Sequence, residues 1–268
     1  MGNETYELLW KKNIMQLKHA ALVIVDISGY TQFLRQRSLT LLHAEEIITQ
    51  LLESVIDVAE FPMILNKLEG DAAFLYALLD DDHEKAARAI LKQTLAFFPA
   101  FRRKATELSH DTPYCECNAC THIDRLKLKA FIHHGEVVLK KIRQFEELAG
   151  ENVILIHRLL KNSVEADEYI LMTKSFSSLA GGIPDYRKER RVEKYDNAEP
   201  VPVDVYFPPP AIPPLEIPAY TPQKTSMFMA QIRRLFSHLF GKSQKEHFEH
   251  IPNEKVGFFA YFGELMMK

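Results

Sequence analysis

The sequence predicts an α/β (α+β) sandwich with a mixed sheet, related to the ferredoxin-like plan. Short apolar runs rich in β-branched residues indicate buried strands, and two long stretches carry apolar residues at helical spacing. These two kinds of segment alternate over the first 207 residues. With 268 residues, 47% of them hydrophobic, the chain is long enough for one substantial core plus an appendage, or for two small domains.

Each element follows from its own pattern. The helices are expected at about residues 41–60, 81–108 and 151–163. The strands are expected at 20–27, 63–67, 72–77, 126–134, 137–140, 169–172, 187–195 and 201–207. Glu69-Gly70-Asp71 has the composition of a hairpin turn, and the strand at 137–140 is expected to pair with the strand before it across Gly135.

The C-terminal part of the chain differs in composition from the rest. Seven of the fourteen prolines lie between residues 208 and 222, and a segment so rich in proline cannot form a central strand or a helix. We therefore divide the chain into an N-terminal segment (1–16), a main domain (17–207), a proline-rich linker or strap (208–222) and a helical extension (223–268).

Residues 223–242 predict an amphipathic helix. Its apolar face holds Phe228, Ile232, Leu235, Phe236, Leu239 and Phe240. Arg233, Arg234 and Lys242 add positive charge with no acidic residue nearby. Such a helix can bind a membrane surface or a protein partner, or it can dock on the main domain or on a dimer mate.

Charge and hydropathy exclude several classes of protein. The net charge of -3 gives no global argument for binding nucleic acid. No apolar run approaches the length needed to cross a bilayer, and no basic segment followed by an apolar one indicates a signal peptide. We therefore expect a cytoplasmic protein that does not bind nucleic acid.

Two carboxylates stand at positions that can converge. Asp26 ends a predicted strand, and Asp71 lies in the hairpin turn between two other strands. Acidic residues at a strand end and a neighbouring turn can meet at one point, and carboxylate oxygens are the ligands that hard divalent cations prefer. The pair is therefore a candidate metal site.

Four motifs resemble those of class III adenylyl and guanylyl cyclases. Residues 23–31 (VIVDISGYT) are similar to the opening motif apolar-x-Asp-Ile-x-Gly-Phe-Thr, and residues 66–72 (NKLEGDA) to the second, a Lys followed four residues later by the metal Asp. Residues 132–137 (IHHGEV) resemble the Ile-His-x-Gly-x-Val strand pair, and residues 150–159 (GENVILIHRL) the Gly-x-x-Val-Asn-x-x-x-Arg-Leu helix. The motifs stand in family order across residues 17–207, which suggests a divergent bacterial branch of that family.

The resemblance implies a two-metal site. Asp26 and Asp71, with the Ile27 carbonyl, would hold two Mg²⁺ or Mn²⁺ ions. Backbone N–H groups of Ser28, Gly29, Tyr30 and Thr31 would bind the triphosphate.

It also implies which residues recognise the rest of the substrate. Lys67 would read the purine, and Glu147 would accept from the adenine amino group. Arg158 would stabilise the transition state. The implied activity is conversion of ATP to cyclic AMP and pyrophosphate in a homodimer whose active sites form between the two copies.

One position departs from the family motif. Ile154 stands where the family has its transition-state Asn, whereas the Arg four residues later is present as Arg158. Loss of one such donor costs on the order of 10²–10³ in rate, which fits a slow enzyme as well as an inactive one. The alternative is therefore a catalytically silent nucleotide- or metal-binding signalling module. A third interpretation is an interaction protein that docks through the linker and the C-terminal helix.

The three cysteines form a separate cluster. Cys115, Cys117 and Cys120 precede His122, with His110 nearby, and thiolates at this spacing favour Zn²⁺. Either a structural zinc, completed by His122, by His110 or across a dimer, or three reduced core thiols fits this pattern.

Overall fold

A computed structural model describes residues 15–30, 38–79, 81–111, 122–142, 145–196 and 198–209. Contacts divide the chain into one unit of Met1–Lys141 and Glu147–Glu216 and a second of Ile142–Glu146 and Ile217–Lys268. The predictions for Thr31, for the three cysteines, for residues 210–222 of the linker and for the C-terminal helix lie outside the described residues.

The predicted fold class is confirmed, because the described chain forms a mixed eight-stranded sheet with four α-helices. The strands are β1 (Met15–Ser28), β2 (Ile64–Glu69), β3 (Ala72–Leu78), β4 (Lys127–Ile142), β5 (Phe145–Ala149), β6 (Tyr169–Thr173), β7 (Arg187–Glu193) and β8 (Val201–Phe207). The helices are α1 (Ser38–Ile56), α2 (His83–Asp111), α3 (Glu151–Leu159) and α4 (Lys174–Ala180).

The sheet has the order β2-β3-β1-β4-β6-β8-β7, and β5 pairs with β4 outside this path. β4 and β6 are parallel, and the other pairs along the path are antiparallel. β1 lies in the interior of the sheet between β3 and β4. Its apolar, β-branched sequence is explained by this position, since a central strand is covered on both faces.

Two hydrophobic clusters cover the two faces. Val23 and Val25 of β1 pack in one cluster with residues of α1, α2 and α4. Leu22 and Ile24 pack in the other, which contains Ile156 of α3. Because side chains alternate along a strand, Asp26 points to the face that carries α3. The site on that face is therefore framed by the sheet, the β2–β3 hairpin and α3.

The prediction of two strands around Gly135 is wrong. β4 runs without interruption through Gly135, and the strand that folds back on it is β5, which lies outside the predicted strands. Gly135 has a close-approach role, because a Cβ there would lie 2.3 Å from Cγ of Asn152. The glycine lets α3 approach the sheet. α3 also ends at Leu159, about one turn earlier than predicted.

Among the helices of the described ranges, none is both long and apolar enough to cross a membrane.

Candidate metal and nucleotide site

Asp26 and Asp71 are neighbours in the structure. Asp26 pairs with Ala72 across β1 and β3, so Asp71 stands one residue before its cross-strand partner. The Ile27 N–H donates to the Asp71 carbonyl oxygen at 3.1 Å. A backbone hydrogen bond thus fixes the turn that carries Asp71 to the end of the strand that carries Asp26.

The electrostatics of this pair are unfavourable for two bare carboxylates. Burial, and then the charge of Asp71, raise the pKa of Asp26 to about 6, and Lys129 on β4 opposes them only in part. Burial also raises the pKa of Asp71, against a backbone hydrogen bond, and the charge of Glu45 adds to the rise. The site therefore holds too little positive charge to neutralise both carboxylates.

The donor set fits a hard divalent cation. Two adjacent carboxylates with raised pKa values are stabilised in their ionised form when a cation binds between them. Among the described residues, however, no group of three or more His, Cys, Asp and Glu side chains is arranged to hold a metal ion. Asp26 and Asp71 can thus hold Mg²⁺ or Mn²⁺ only with ligands from a triphosphate, from water or from the backbone.

The segment after β1 is fixed by side-chain contacts. Ser28 Oγ donates to Asp167 Oδ1 at 3.1 Å, and Tyr30 Oη donates to Glu45 Oε1 at 2.7 Å. Burial and the bond to Glu45 raise the pKa of Tyr30 to about 12. Gly29 has a φ of 93°, a conformation that favours glycine. The sequence does not single out Glu45, because no local pattern shows that a helix residue will reach this turn.

Lys67 is already engaged by another residue of its own strand. Its Nζ lies 2.7 Å from Glu69 Oε1, and His157 Nε2 of α3 lies 3.1 Å from the same oxygen. Glu147, the expected partner of Lys67 in base recognition, is exposed on β5. The described contacts therefore group Lys67 with Glu69 and His157 rather than with Glu147.

Arg158 and Ile154 line one cavity of about 380 Å³ on the α3 side, together with His133 and Lys174. Ile154 is 56% exposed. Asn152 does not replace the missing Asn, because its side chain is used against the sheet: Nδ2 donates to the Glu136 carbonyl at 2.8 Å, and Oδ1 accepts from His133 Nε2 at 2.8 Å.

A second group of titratable side chains lies toward the other end of β1. The rings of His19 on β1, His83 on α2 and His134 on β4 are mutual neighbours, with centroids 5.2, 5.8 and 5.5 Å apart. His134 Nε2 is buried and has no hydrogen-bond partner among the described residues. Burial, and then the charges of His83 and His19, lower the pKa of His134 to about 4. No local sequence pattern brings these three histidines together.

Comparisons of sequence match this chain to one family model and to one curated relative. The family model described as "Protein of unknown function (DUF2652)" matches residues 48–169, a range that contains Asp71 and Arg158 but begins after Asp26. A curated relative, "Uncharacterized protein Rv2561/Rv2562" of Mycobacterium tuberculosis (strain ATCC 25618 / H37Rv), is 41% identical over 126 residues, which are 47% of this chain and 57% of the relative. The chain thus spans a little over half the length of that relative.

Several solved structures share the fold. The adenylyl cyclase CyaB from P. aeruginosa has a TM-score of 0.57 at 16% identity, covering 73% of this chain and 97% of its own. A bacterial light-regulated adenylyl cyclase has a TM-score of 0.54 at 12% identity, over 86% and 66%. The guanylyl cyclase Cya2 has a TM-score of 0.53 at 14% identity, over 71% and 92%. The fold is therefore that of class III cyclase domains.

Proposed function

We propose that residues 17–207 form a class III-type nucleotidyl cyclase domain that converts ATP to cyclic AMP and pyrophosphate. The observation that carries the proposal is the pair of adjacent carboxylates, Asp26 and Asp71, whose burial and mutual charge leave them short of a cation. The class III fold supports it, since the neighbours named above are adenylyl and guanylyl cyclases. We place this activity in the cytoplasm, as the sequence predicts.

The residues of the chain have distinct roles in this proposal. Asp26, Asp71 and the Ile27 carbonyl would hold Mg²⁺ or Mn²⁺, which when bound lowers the pKa of the ribose hydroxyl and offsets phosphate charge. The backbone N–H groups of residues 28–31 bind phosphate oxygens. Arg158 stabilises the charge that develops on the transferring phosphate.

The reaction is an intramolecular displacement. The ribose 3′-oxygen forms a bond to the α-phosphorus while the bond from that phosphorus to the oxygen bridging to the β-phosphate breaks. The 3′-hydroxyl proton is released, and pyrophosphate leaves. A homodimer completes the site, with Asp26 and Asp71 from one copy and Arg158 from the other.

A silent nucleotide-binding module is the second candidate. Ile154 offers no hydrogen bond where the family has its Asn, and Lys67 is held by Glu69. Either feature slows turnover without preventing nucleotide binding. In this case the domain binds the metal–nucleotide complex and signals by binding alone.

One experiment separates the two candidates. The purified full chain is incubated with Mn²⁺ and each of ATP, GTP, CTP and UTP, and cyclic products are sought by mass spectrometry. Asp71→Ala is the test variant, and Asp57→Ala, an exposed aspartate after α1, is the matched control. We expect cyclic AMP from wild type and from Asp57→Ala, and a loss of at least about 10²-fold in Asp71→Ala.

The other outcomes are equally informative. Nucleotide binding without any cyclic product supports the silent module. Absence of both binding and product in a protein that stays monomeric on gel filtration even at high concentration contradicts both candidates. The proposal of a structural zinc at Cys115, Cys117 and Cys120 is tested by elemental analysis of freshly purified protein, where less than a trace of zinc would rule it out.

A further inference from the structure

β7 is the last strand of the sheet, and its outer edge is open. It pairs with β8 on one side, and no further strand of the described chain pairs with it on the other. In an antiparallel ladder, every second residue of an edge strand directs its main-chain N–H and C=O groups away from its neighbour. Such groups can hydrogen-bond an added strand.

The two edges of the described sheet differ in regularity. β2, at the opposite edge, pairs with β3 with a register shift between Leu65 and Lys67. A shift of this kind disturbs the ladder and protects an edge against further pairing. β7 pairs with β8 at every position from Arg187 to Glu193 without a shift. Of these two edges, β7 is therefore better shaped to accept a strand.

One face of β7 carries an excess of positive charge around a buried carboxylate. Asp204 of β8 is 3% exposed, and Lys188 Nζ lies 3.0 Å from its Oδ2. Lys174 Nζ and Arg190 Nε lie farther from Asp204, at 3.9 Å, and their side chains are 57% and 83% exposed. Burial works to raise the pKa of Asp204, but hydrogen bonds from Ser177 and Lys188 lower it overall. Three cations and one ionised carboxylate thus leave a net charge of +2.

The opposite face of β7 also presents basic side chains. Arg191 and Arg187 both donate to Glu189, and these hydrogen bonds lower the pKa of that carboxyl. Glu193 is buried and accepts from the backbone and the hydroxyl of Ser163, so its charge is not presented at the surface. β7 therefore has exposed cations on both faces, on either side of its open edge.

This arrangement fits an extended chain better than a flat anionic surface. A lipid headgroup layer or a nucleic acid backbone would meet the charges of one face only. A strand added at the edge directs its side chains alternately to both faces, where each lies opposite a residue of β7. Acidic side chains of such a strand would meet Lys188 and Arg190 on one face, or Arg187 and Arg191 on the other.

We propose that the outer edge of β7 binds an extended acidic segment of a partner protein, which adds to the sheet as a further strand. Main-chain hydrogen bonds supply affinity, and the basic side chains select acidic sequences. Arg190 is the residue that contributes most to this selection, because it is the most exposed of the cations around Asp204. This surface does not depend on the proposed nucleotide site.

Peptide binding to the full chain tests the proposal. The probe is a fluorescein-labelled peptide of alternating glutamate and valine, about as long as β7, and fluorescence anisotropy measures its binding. In a second peptide the main-chain nitrogens of two adjacent central residues are methylated, so that one of them faces β7 in either register while the charge is unchanged. A third peptide has lysine in place of glutamate.

The three peptides should bind differently. We expect the acidic peptide to bind wild type, with an affinity that falls as the salt concentration rises. The methylated peptide should bind at least about 10-fold more weakly, because it loses a main-chain donor. The lysine peptide should not bind, because like charges would then face one another.

Matched variants assign the binding to β7. Arg190→Glu should weaken binding of the acidic peptide at least about 10-fold, because it replaces an attraction by a repulsion. Arg103→Glu makes the same change in net charge at an exposed position of α2, and should change binding by less than about twofold. If thermal unfolding shows Arg190→Glu to be unfolded, Arg190→Gln replaces it and should weaken binding about threefold.

Several outcomes would overturn the inference. Absence of binding to wild type, equal binding of the methylated peptide, or equal weakening in Arg103→Glu would each do so. A single-stranded oligonucleotide of the same charge that binds more tightly than the acidic peptide would identify a nucleic acid surface instead. A dimer that Arg190→Glu converts to a monomer on gel filtration, with no peptide binding to wild type, would show that this edge pairs two copies of the chain.

Discussion

The two ends of β1 bury titratable groups with opposite consequences. At one end Asp26 lies beside Asp71, and burial and like charge raise its pKa to about 6. Seven residues earlier His19 lies with His83 and His134, and burial lowers the pKa of His134 to about 4. Burial disfavours the charged form of both groups, but at neutral pH Asp26 is ionised and His134 is neutral.

The two ends therefore differ in the pH range where they weaken the fold. The pKa of Asp26 is raised from its ordinary value of 3.8 to about 6, so its contribution to stability is fully present below about pH 4 and is lost as pH rises toward 6. The pKa of His134 is lowered from about 6.5, so its contribution is present above that pH and is lost as pH falls toward 4.

The opposite charge states indicate which end of β1 should bind a cation. Near neutral pH the acidic end is charged and lacks a counter-ion, so a cation stabilises it. The histidine end is neutral and packed, and needs none. The first is a candidate binding site, and the second is a packing cluster.

The largest expected effect is that of a divalent cation on the acidic end. At pH 7.5, Mn²⁺ at about a hundred times its Kd should stabilise the wild type by about 2.7 kcal/mol, raising Tm by about 5–10 °C in a thermal melt. Asp71→Asn should lose this shift, whereas His134→Phe should keep it. An equal shift in Asp71→Asn would mean that Mn²⁺ binds elsewhere.

Neutralising Asp26 should change metal-free stability with the opposite sign. In EDTA above pH 6, Asp26→Asn should be more stable than wild type by about 1–2 kcal/mol, since a partly buried charge is removed. Below pH 4 the two proteins should have similar stability. Urea unfolding at pH 4 and pH 7.5 measures both values, and a destabilised Asp26→Asn at pH 7.5 would contradict the electrostatic account of this end.

The histidine end gives the matching test. His134→Phe removes a buried nitrogen that has no partner and should raise stability by about 1 kcal/mol at pH 7.5. In the Asp26→Asn background, His134→Phe should also reduce the loss of stability as pH falls from about 6.5 to 4. Part of that loss should remain, because burial also lowers the pKa of His133. An unchanged acid-induced loss in the double variant would contradict the role given to His134.

The smallest effect is expected at the exposed edge of the histidine cluster. His19 Nε2 lies 3.6 Å from Glu136 Oε1, and both side chains are about half exposed. Solvent screens such a pair, so Glu136→Gln should change stability by less than about 0.5 kcal/mol at any pH. A larger change in urea unfolding would show that the cluster depends on its surface charge.

Much of the fold follows from the sequence because its signals are local. The strand that ends in Asp26 and the hairpin turn at Asp71 are both visible as short patterns, and the structure has strands β1, β2 and β3 at these places. The prediction at Gly135 was wrong because a glycine in a sequence does not show whether it forms a turn or leaves room for a neighbouring side chain.

The remainder of the site depends on contacts between distant elements. Glu45 reaches Tyr30 from α1, and His157 reaches Glu69 over 88 positions of sequence. The position of each partner is set by how the helices pack on the sheet. The spacing of residues within one segment does not predict such a contact. These partners can therefore be identified only from the structure.

One consequence concerns the helix that carries Arg158. Asn152, packed against Gly135, hydrogen-bonds the first turn of α3 to β4, and His157 ties the last turn to Glu69. A helix bound at both ends has little freedom left to lose when a ligand arrives. The Arg158 guanidinium is therefore held on a rigid helix. The entropic cost of ordering this half of the pocket falls on folding rather than on ligand binding.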